Sequence, residues 1–302
     1  MSGADAFMSC ISSLSCAGVQ AFSGLMMSMI LFLIACGLSL IFGVMDVINF
    51  AHGSFFMMGA YVAYTVARSV GPGAGYWVSL VVAPLAVAAA GALLEAVLLR
   101  RVYGRHSLYQ LLLTFALLLV FEDLAKLGWG TGYVSASVPE AFRGAVWVMD
   151  RPLPRYYLLL LGIGPLVGLA MWLGLVGTRY GRIVQAASMD REMVMALGIN
   201  ARRVYTGVFG AGCWLAALAG ALAAPIRSLY PGMGVEVAIE SFVVVVLGGL
   251  GNIWGALVGS LIIGQLRAFA TLLLPRYEIV LPFALMALVL MVRPRGLLGQ
   301  VK

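Results

Sequence analysis

Three polar stretches interrupt an otherwise apolar chain, and they hold the residue types able to do chemistry. The longest runs from Thr178 to Arg203 and carries Arg182, Asp190, Glu192, Leu197, Gly198 and Asn200. Good helix formers without Pro or internal Gly predict a single helix over Ile183–Leu197. Gly198 suits its C-terminus and Asn200 the cap of the next helix. Val184, Ala187, Met195 and Leu197 give this short helix an apolar content that needs a partner. Lipid headgroups are one such partner. Asp190 and Glu192 argue against it, because acids gain nothing at an anionic leaflet.

The second stretch, Asp46–Ser54, holds Asn49 and His52. Polar side chains beside a broken helix either line a permeant's path or close a tight turn at the membrane surface. Both readings stay open on sequence. The third stretch is Gly248-Gly249-Leu250-Gly251-Asn252. The apolar run before it is only about 10 residues, or roughly 15 Å as helix. That length suits a helix ending near mid-membrane with free carbonyls closest to Gly249. Gly248 and Gly249 are therefore path candidates, since broken short segments often mark transporter sites. Close packing of the glycines, Gly251 above all, explains the break equally well.

Isolated charges complete the inventory. Glu95 lies five residues before Arg100, so either function or an ion pair accounts for it. Glu122, Asp123 and Lys126 share a helical face, which allows a self-neutralised cluster or a vestibule for a charged ligand. No Gly-x-x-x-x-Gly-Lys-Ser/Thr, His-Glu-x-x-His or Gly-x-Ser-x-Gly occurs. The four cysteines, Cys10, Cys16, Cys36 and Cys213, have no metal-ligand spacing, and an outside N-terminus would allow Cys10 and Cys16 to pair. No catalytic residue, cofactor or metal is expected.

The elements that must hold these residues follow from composition. Of 302 residues 63% are hydrophobic and 10% charged, with a mean hydropathy of +1.03. Soluble domains carry roughly 25% charge. A cytosolic enzyme, a disordered chain and a nucleic-acid-binding module are excluded. The runs are continuous rather than alternating, which excludes an outer-membrane barrel. Residues 1–20 hold no Lys or Arg, so no conventional cleaved signal peptide is expected. An all-α, polytopic helical bundle remains, with 1–302 forming one transmembrane domain.

The apolar runs are Ala21–Gly43, Phe55–Val66, Tyr76–Leu99, Leu108–Leu127, Tyr156–Val176, Val204–Ala224, Ala238–Leu247, Ile253–Leu274 and Ile279–Val292. A crossing needs ~20 residues, so about eight spans are expected, with one short broken or re-entrant segment. Three segments hold eleven of the 19 basic residues: Arg100–Arg105, Arg179–Arg203 and Arg293–Lys302. Even numbers of crossings separate them, so they share a side. The positive-inside rule makes that side cytoplasmic, with the N-terminus outside and the C-terminus inside.

The motifs resemble one family over almost the whole chain. Gly181-Arg182, Ala-Ser-Met-Asp-Arg-Glu192 and Leu-Gly-Ile-Asn200 resemble the coupling-helix loop of branched-chain amino-acid ABC importer permeases. Gly43-Val-Met-Asp-Val-Ile-Asn-Phe-Ala-His-Gly53 with Met58-Gly-Ala-Tyr61 resembles that family's signature near the first span. Val246-Leu-Gly-Gly-Leu-Gly-Asn-Ile-Trp-Gly-Ala256 and Arg293-Pro-Arg-Gly-Leu-Leu-Gly299 are similar to its later motifs. The Asn-Phe-Ala-His-Gly block points to the H-type subunit rather than the longer M-type. The charges at Glu122, Asp123 and Lys126 depart from the family's pattern.

The resemblance implies half of a translocation pore in a bacterial inner membrane. It implies a second homologous permease, two ABC ATPase subunits, a periplasmic substrate-binding protein and an amino-acid substrate as partners. ATPase closure would push on the loop at about 178–203, with Asp190 and Glu192 placed for charge pairing across that interface. Leucine, isoleucine and valine are the default substrates; other amino acids, amides or urea stay open. The alternative from another class is a secondary amino-acid transporter driven by an ion gradient. Such carriers usually keep a membrane-centre acid, and here the acids gather near helix ends, apart from Glu240. A secondary carrier also has no need for an ordered coupling-type helix.

Overall fold

The computed structural model describes residues 13–148, 151–273 and 275–299. Cys10 lies outside the described residues, and so does its pairing with Cys16. Continuous apolar runs have no strand alternation to satisfy, and helices keep every backbone hydrogen bond within one segment. Eleven α-helices result among the described residues: α1 (Leu14–Met45), α2 (His52–Val70), α3 (Ala74–Val97), α4 (Ser107–Trp129), α5 (Tyr156–Gly177), α6 (Arg179–Met189), α7 (Arg191–Ala196), α8 (Ala201–Ala223), α9 (Met233–Gly248), α10 (Ile253–Leu273) and α11 (Val280–Val292). Five segments are long and apolar enough to cross a membrane by length and composition alone: Ser15–Met45, Ala74–Arg101, Tyr156–Gly177, Ala201–Ala223 and Ile253–Leu272. The helical expectation holds, with one small addition in a loop. The loop after α4 folds into a short antiparallel hairpin, β1 (Ala145–Val148) with β2 (Arg151–Pro154), in register Ala145 to Pro154. Pro152 and Pro154 lack amide donors, so the outer edge of β2 is a poor template for a further strand.

Helices α1 and α8 form the centre. α1 packs against α10, α8 and α5, and α8 against α3 and α2. Small residues let the two backbones touch. A Cβ at Gly37 would lie 2.7 Å from the Gly212 carbonyl oxygen, so the crossing tolerates no side chain on α1 there.

The described residues of the three basic segments share one end of the bundle. Glu95 and Arg100, at the end of α3, bond to Thr206 at the start of α8. Gly251 abuts Gly43 near the end of α1, and the tail after α11 lies on the same break. At the far end the Tyr76 and Tyr156 hydroxyls are 2.8 Å apart, and Tyr156 donates to Leu222 O on α8 at 2.7 Å.

The short segment before the glycine break is longer than its apolar core. α9 has 16 residues instead of the expected 10, because Met233, Gly234 and Val237 are also buried. It starts where Glu236 pairs with Arg227 near the far end, and it finishes against the tail at the basic end. The carbonyls of Leu247 and Gly248, expected to be free, accept from the Leu297 and Leu298 amides at 2.9 Å each. Asn252 Nδ2 adds a bond to Leu298 O at 2.8 Å.

Gly249 holds φ +110°, and a Cβ there would stand 2.6 Å from the Gly299 nitrogen. Gly249→Ala should therefore lower the thermal midpoint of the purified protein, at a cost of about 1–3 kcal/mol. An unchanged midpoint would mean that the tail does not brace this break.

Candidate functional site

The loop between α5 and α8 is built by its caps. Thr178 Oγ1 accepts from Gly181 N at 3.0 Å and opens α6. Asp190 interrupts the expected single helix. Its backbone is extended, at φ −148° and ψ 101°, and its Oδ1 accepts from Met193 N at 2.9 Å, starting α7. An aspartate that caps a new helix competes with continuing the old one. Gly198, at φ +80°, ends α7, and Asn200 Oδ1 caps α8 by accepting from Arg202 N and Arg203 N. Gly198 and Asn200 thus take the places that the residue types suggest.

The two faces of this loop differ. Val184, Ala187 and Val194 are buried against the bundle. Met189, Met193 and Leu197 point outward, at 88%, 59% and 72% exposure. Arg182 and Glu192 are exposed beside them. The result is a loop at the basic end that presents exposed apolar side chains together with charged ones. Asp190 is already engaged as a cap, and its carboxylate is only partly available to a partner.

The loop is wired to the spans. Arg191 stands over the Tyr205 ring, 5.3 Å from its centroid. Tyr205 packs edge-on against Tyr103, with centroids 5.9 Å apart. Tyr103 donates to Glu95 Oε1 at 2.9 Å. Glu95 Oε2 accepts from Arg100 at 3.0 Å and from Thr206 at 2.6 Å. The ion-pair reading of Glu95 is the one that the geometry supports; Tyr103 and Thr206 are partners that sequence spacing did not reveal. Burial, reinforced by the Glu95 carboxylate, pushes the Tyr103 phenol up, so it stays a hydrogen-bond donor. At the far end of α4, Lys126 meets Glu122 at 2.9 Å and Asp123 at 3.0 Å, a locally ion-paired cluster with one carboxylate in excess.

The Asp46–Ser54 break is not at the bundle's edge. His52 touches Gly37 of α1, which itself meets Gly212, the middle of α8. His52 Nε2 bonds to Ile34 O at 3.0 Å. Thr114 of α4 donates to Ile48 O at 3.2 Å, and the Phe50 ring lies 4.7 Å from that of Phe242 in α9. Four helices enclose the break, and Asn49 and His52 are wholly buried. Both amide atoms of Asn49, His52 Nδ1 and Ser54 Oγ nevertheless have no protein partner. Orphaned buried polar groups cost about 1–3 kcal/mol each, so a protein keeps several together only where something else satisfies them. Gly248 and Gly249, the other path candidates, lie under the C-terminal tail instead.

Comparison with known proteins follows the same outline. Residues 20–290 match the family described as "Branched-chain amino acid transport system / permease component". The chain is 30% identical over 295 residues to the high-affinity branched-chain amino acid transport system permease protein LivH of Escherichia coli K12, covering 93% of this chain and 95% of the relative. It is 30% identical over 296 residues to the corresponding permease protein BraD of Pseudomonas aeruginosa, with the same coverage. It is also 25% identical over 301 residues to the permease protein LivM of Escherichia coli K12, covering 91% of this chain and 69% of the relative. No solved structure matches.

Proposed function

The chain belongs to the family of branched-chain amino-acid transport permease components, and from that premise we propose how its parts divide the work. It is a pore subunit of an ATP-driven importer and not an enzyme; ATP hydrolysis lies with separate subunits. It sits in a bacterial inner membrane as half of a pore, beside a second, homologous permease. A periplasmic binding protein delivers branched-chain or related amino acids to the far end. Two ATPase subunits bind the basic end, which is cytoplasmic.

The observation that carries the coupling role is the exposed row Met189, Met193 and Leu197 on a loop braced from behind by Val184, Ala187 and Val194. Exposed apolar side chains in a cluster mark an interaction surface. Arg182 and Glu192 add a charged rim, Asp190 and Asn200 fix the ends of the lever, and Gly198 turns the chain between them. Displacement of this loop reaches the spans through Arg191, Tyr205, Tyr103 and Glu95. The permeant's path passes the Asn49–His52 break, whose orphaned polar atoms meet water or substrate when the pore opens. Gly248 and Gly249 serve packing of the tail rather than the path.

In this topology α1, α2, α3, α4, α5, α8, α9, α10 and α11 alternate in direction from an outside N-terminus to an inside C-terminus. Cysteine labelling tests it. A cysteine at Arg101 or Ser188 should react only from the cytoplasmic side, and one at Ser137 only from the periplasmic side. Labelling of Ser188→Cys from outside would remove the coupling assignment.

A further inference from the structure

We propose that the groove between α9, α10 and α11 at the far end is a binding site for the zwitterion of an α-amino acid with an apolar side chain. Arg267 stands at one end of this groove, only 12% exposed. Its Nη1 lies 2.5 Å from Glu240 Oε1 and its Nη2 3.5 Å from Glu278 Oε1. A guanidinium has five N–H donors, and these two contacts leave the others open. The Nε–H in particular is buried without a protein partner.

The charges are also unbalanced. One guanidinium faces two carboxylates, of which Glu240 is 18% and Glu278 26% exposed. A half-buried excess anion is costly unless a cation meets it. An α-amino acid supplies both missing groups: its carboxylate answers the remaining Nη–H donors of Arg267, and its ammonium the surplus carboxylate.

Glu236 also lines the groove, but its charge is met by Arg227 at 2.7 Å; the rest of the lining is apolar. Ile239, Val243, Ile263, Pro282 and Phe283 line a volume of about 160 Å³. A cavity of about 150 Å³ with similar walls accommodates benzene, so a branched side chain of four carbons fits. A wholly apolar ligand would leave the ion cluster unanswered, and a wholly charged one would leave the walls unused. The identity of the amino acid rests on the permease reading above; the zwitterion chemistry rests on this cluster alone.

The test uses the complete transporter in lipid nanodiscs, with native cysteines replaced and Ile239→Cys introduced at the groove's exposed wall. L-Leucine should slow labelling by a polar thiol reagent at least fivefold. Leucinol, which lacks the carboxylate, and 4-methylpentanoic acid, which lacks the ammonium, should not. Adding Arg267→Gln and Glu240→Gln together keeps the cluster's net charge and should abolish the protection. Equal labelling with and without leucine overturns the site. Protection by leucinol as strong as by leucine, or protection that survives the double substitution, overturns it too. Leucine uptake by the same preparation is read separately. Uptake without protection refutes this site and leaves the importer reading standing, whereas protection without uptake does the reverse.

Discussion

Replacing Met193 and Leu197 together with glutamate should abolish ATP-driven uptake while leaving the permease in the membrane at close to its normal level. Both side chains are exposed in the isolated chain, so their own folding cost is small, within about 0.5 kcal/mol each. Their value lies in what covers them. Burying an exposed Met or Leu contributes about 1.5–3 kcal/mol. Two such losses weaken docking by about a hundredfold or more, before the cost of burying two carboxylates is counted. Substrate-stimulated ATP hydrolysis should fall with uptake, because both need the lever seated. Normal uptake by the double variant would mean that this row faces lipid. Glu192→Lys isolates the charged rim cleanly. Asp190→Lys does not, since it also removes a helix cap worth about 1 kcal/mol, so a loss of function there would have two causes.

The second large effect is expected at Asn49. In the described structure its amide nitrogen and oxygen are buried without partners. Removing an unsatisfied polar group is neutral or stabilising when an apolar group of similar shape replaces it. Asn49→Leu should therefore leave the thermal midpoint of the complex unchanged or raised. Leucine uptake should nonetheless drop by more than tenfold, because the permeant loses the amide that replaces its hydration at the centre of the bundle. Stability and function moving in opposite directions is the signature of a path residue. A destabilised complex would instead mark Asn49 as a structural amide, and full uptake would place the path elsewhere.

Local relations were the legible part of this chain. Asn200 and Gly198 take their positions because caps depend on neighbours two to four residues away. The Lys126–Glu122 pair follows from one turn of helix, and the Glu95–Arg100 pair, five residues apart, from the short 3-10 turn just past the end of α3. The continuous apolar runs leave the backbone no alternative to helix. Misreadings arose where a distant contact or a competing cap decides. Asp190 splits a stretch whose propensities favour one helix, because its carboxylate offers the Met193 amide another partner. Spacing leaves the glycine break equally open to a path end or to close packing; Leu297 and Leu298, some 50 residues on, bond to its Leu247 and Gly248 carbonyls.

Depth was hidden for the same reason. Nothing in Asp46–Ser54 states that His52 will stand beside Gly37 and Gly212, since that contact depends on how α1 and α8 cross. Spacing does not single out Arg267, because its carboxylates are 27 and 11 residues away. Glu240 stood out in the sequence as the acid away from a helix end, but its partner did not.

The most direct measurement is site-specific photo-crosslinking from Leu197 in the assembled, membrane-embedded transporter. A photoreactive residue at that position replaces a side chain that is 72% exposed in the isolated chain, so it perturbs little. The expected product is a covalent adduct between this chain and an ATPase subunit, its yield changing when ATP is supplied. Adducts confined to lipid, with none to an ATPase subunit, would contradict the assignment of the Arg182–Asn200 loop as the coupling surface.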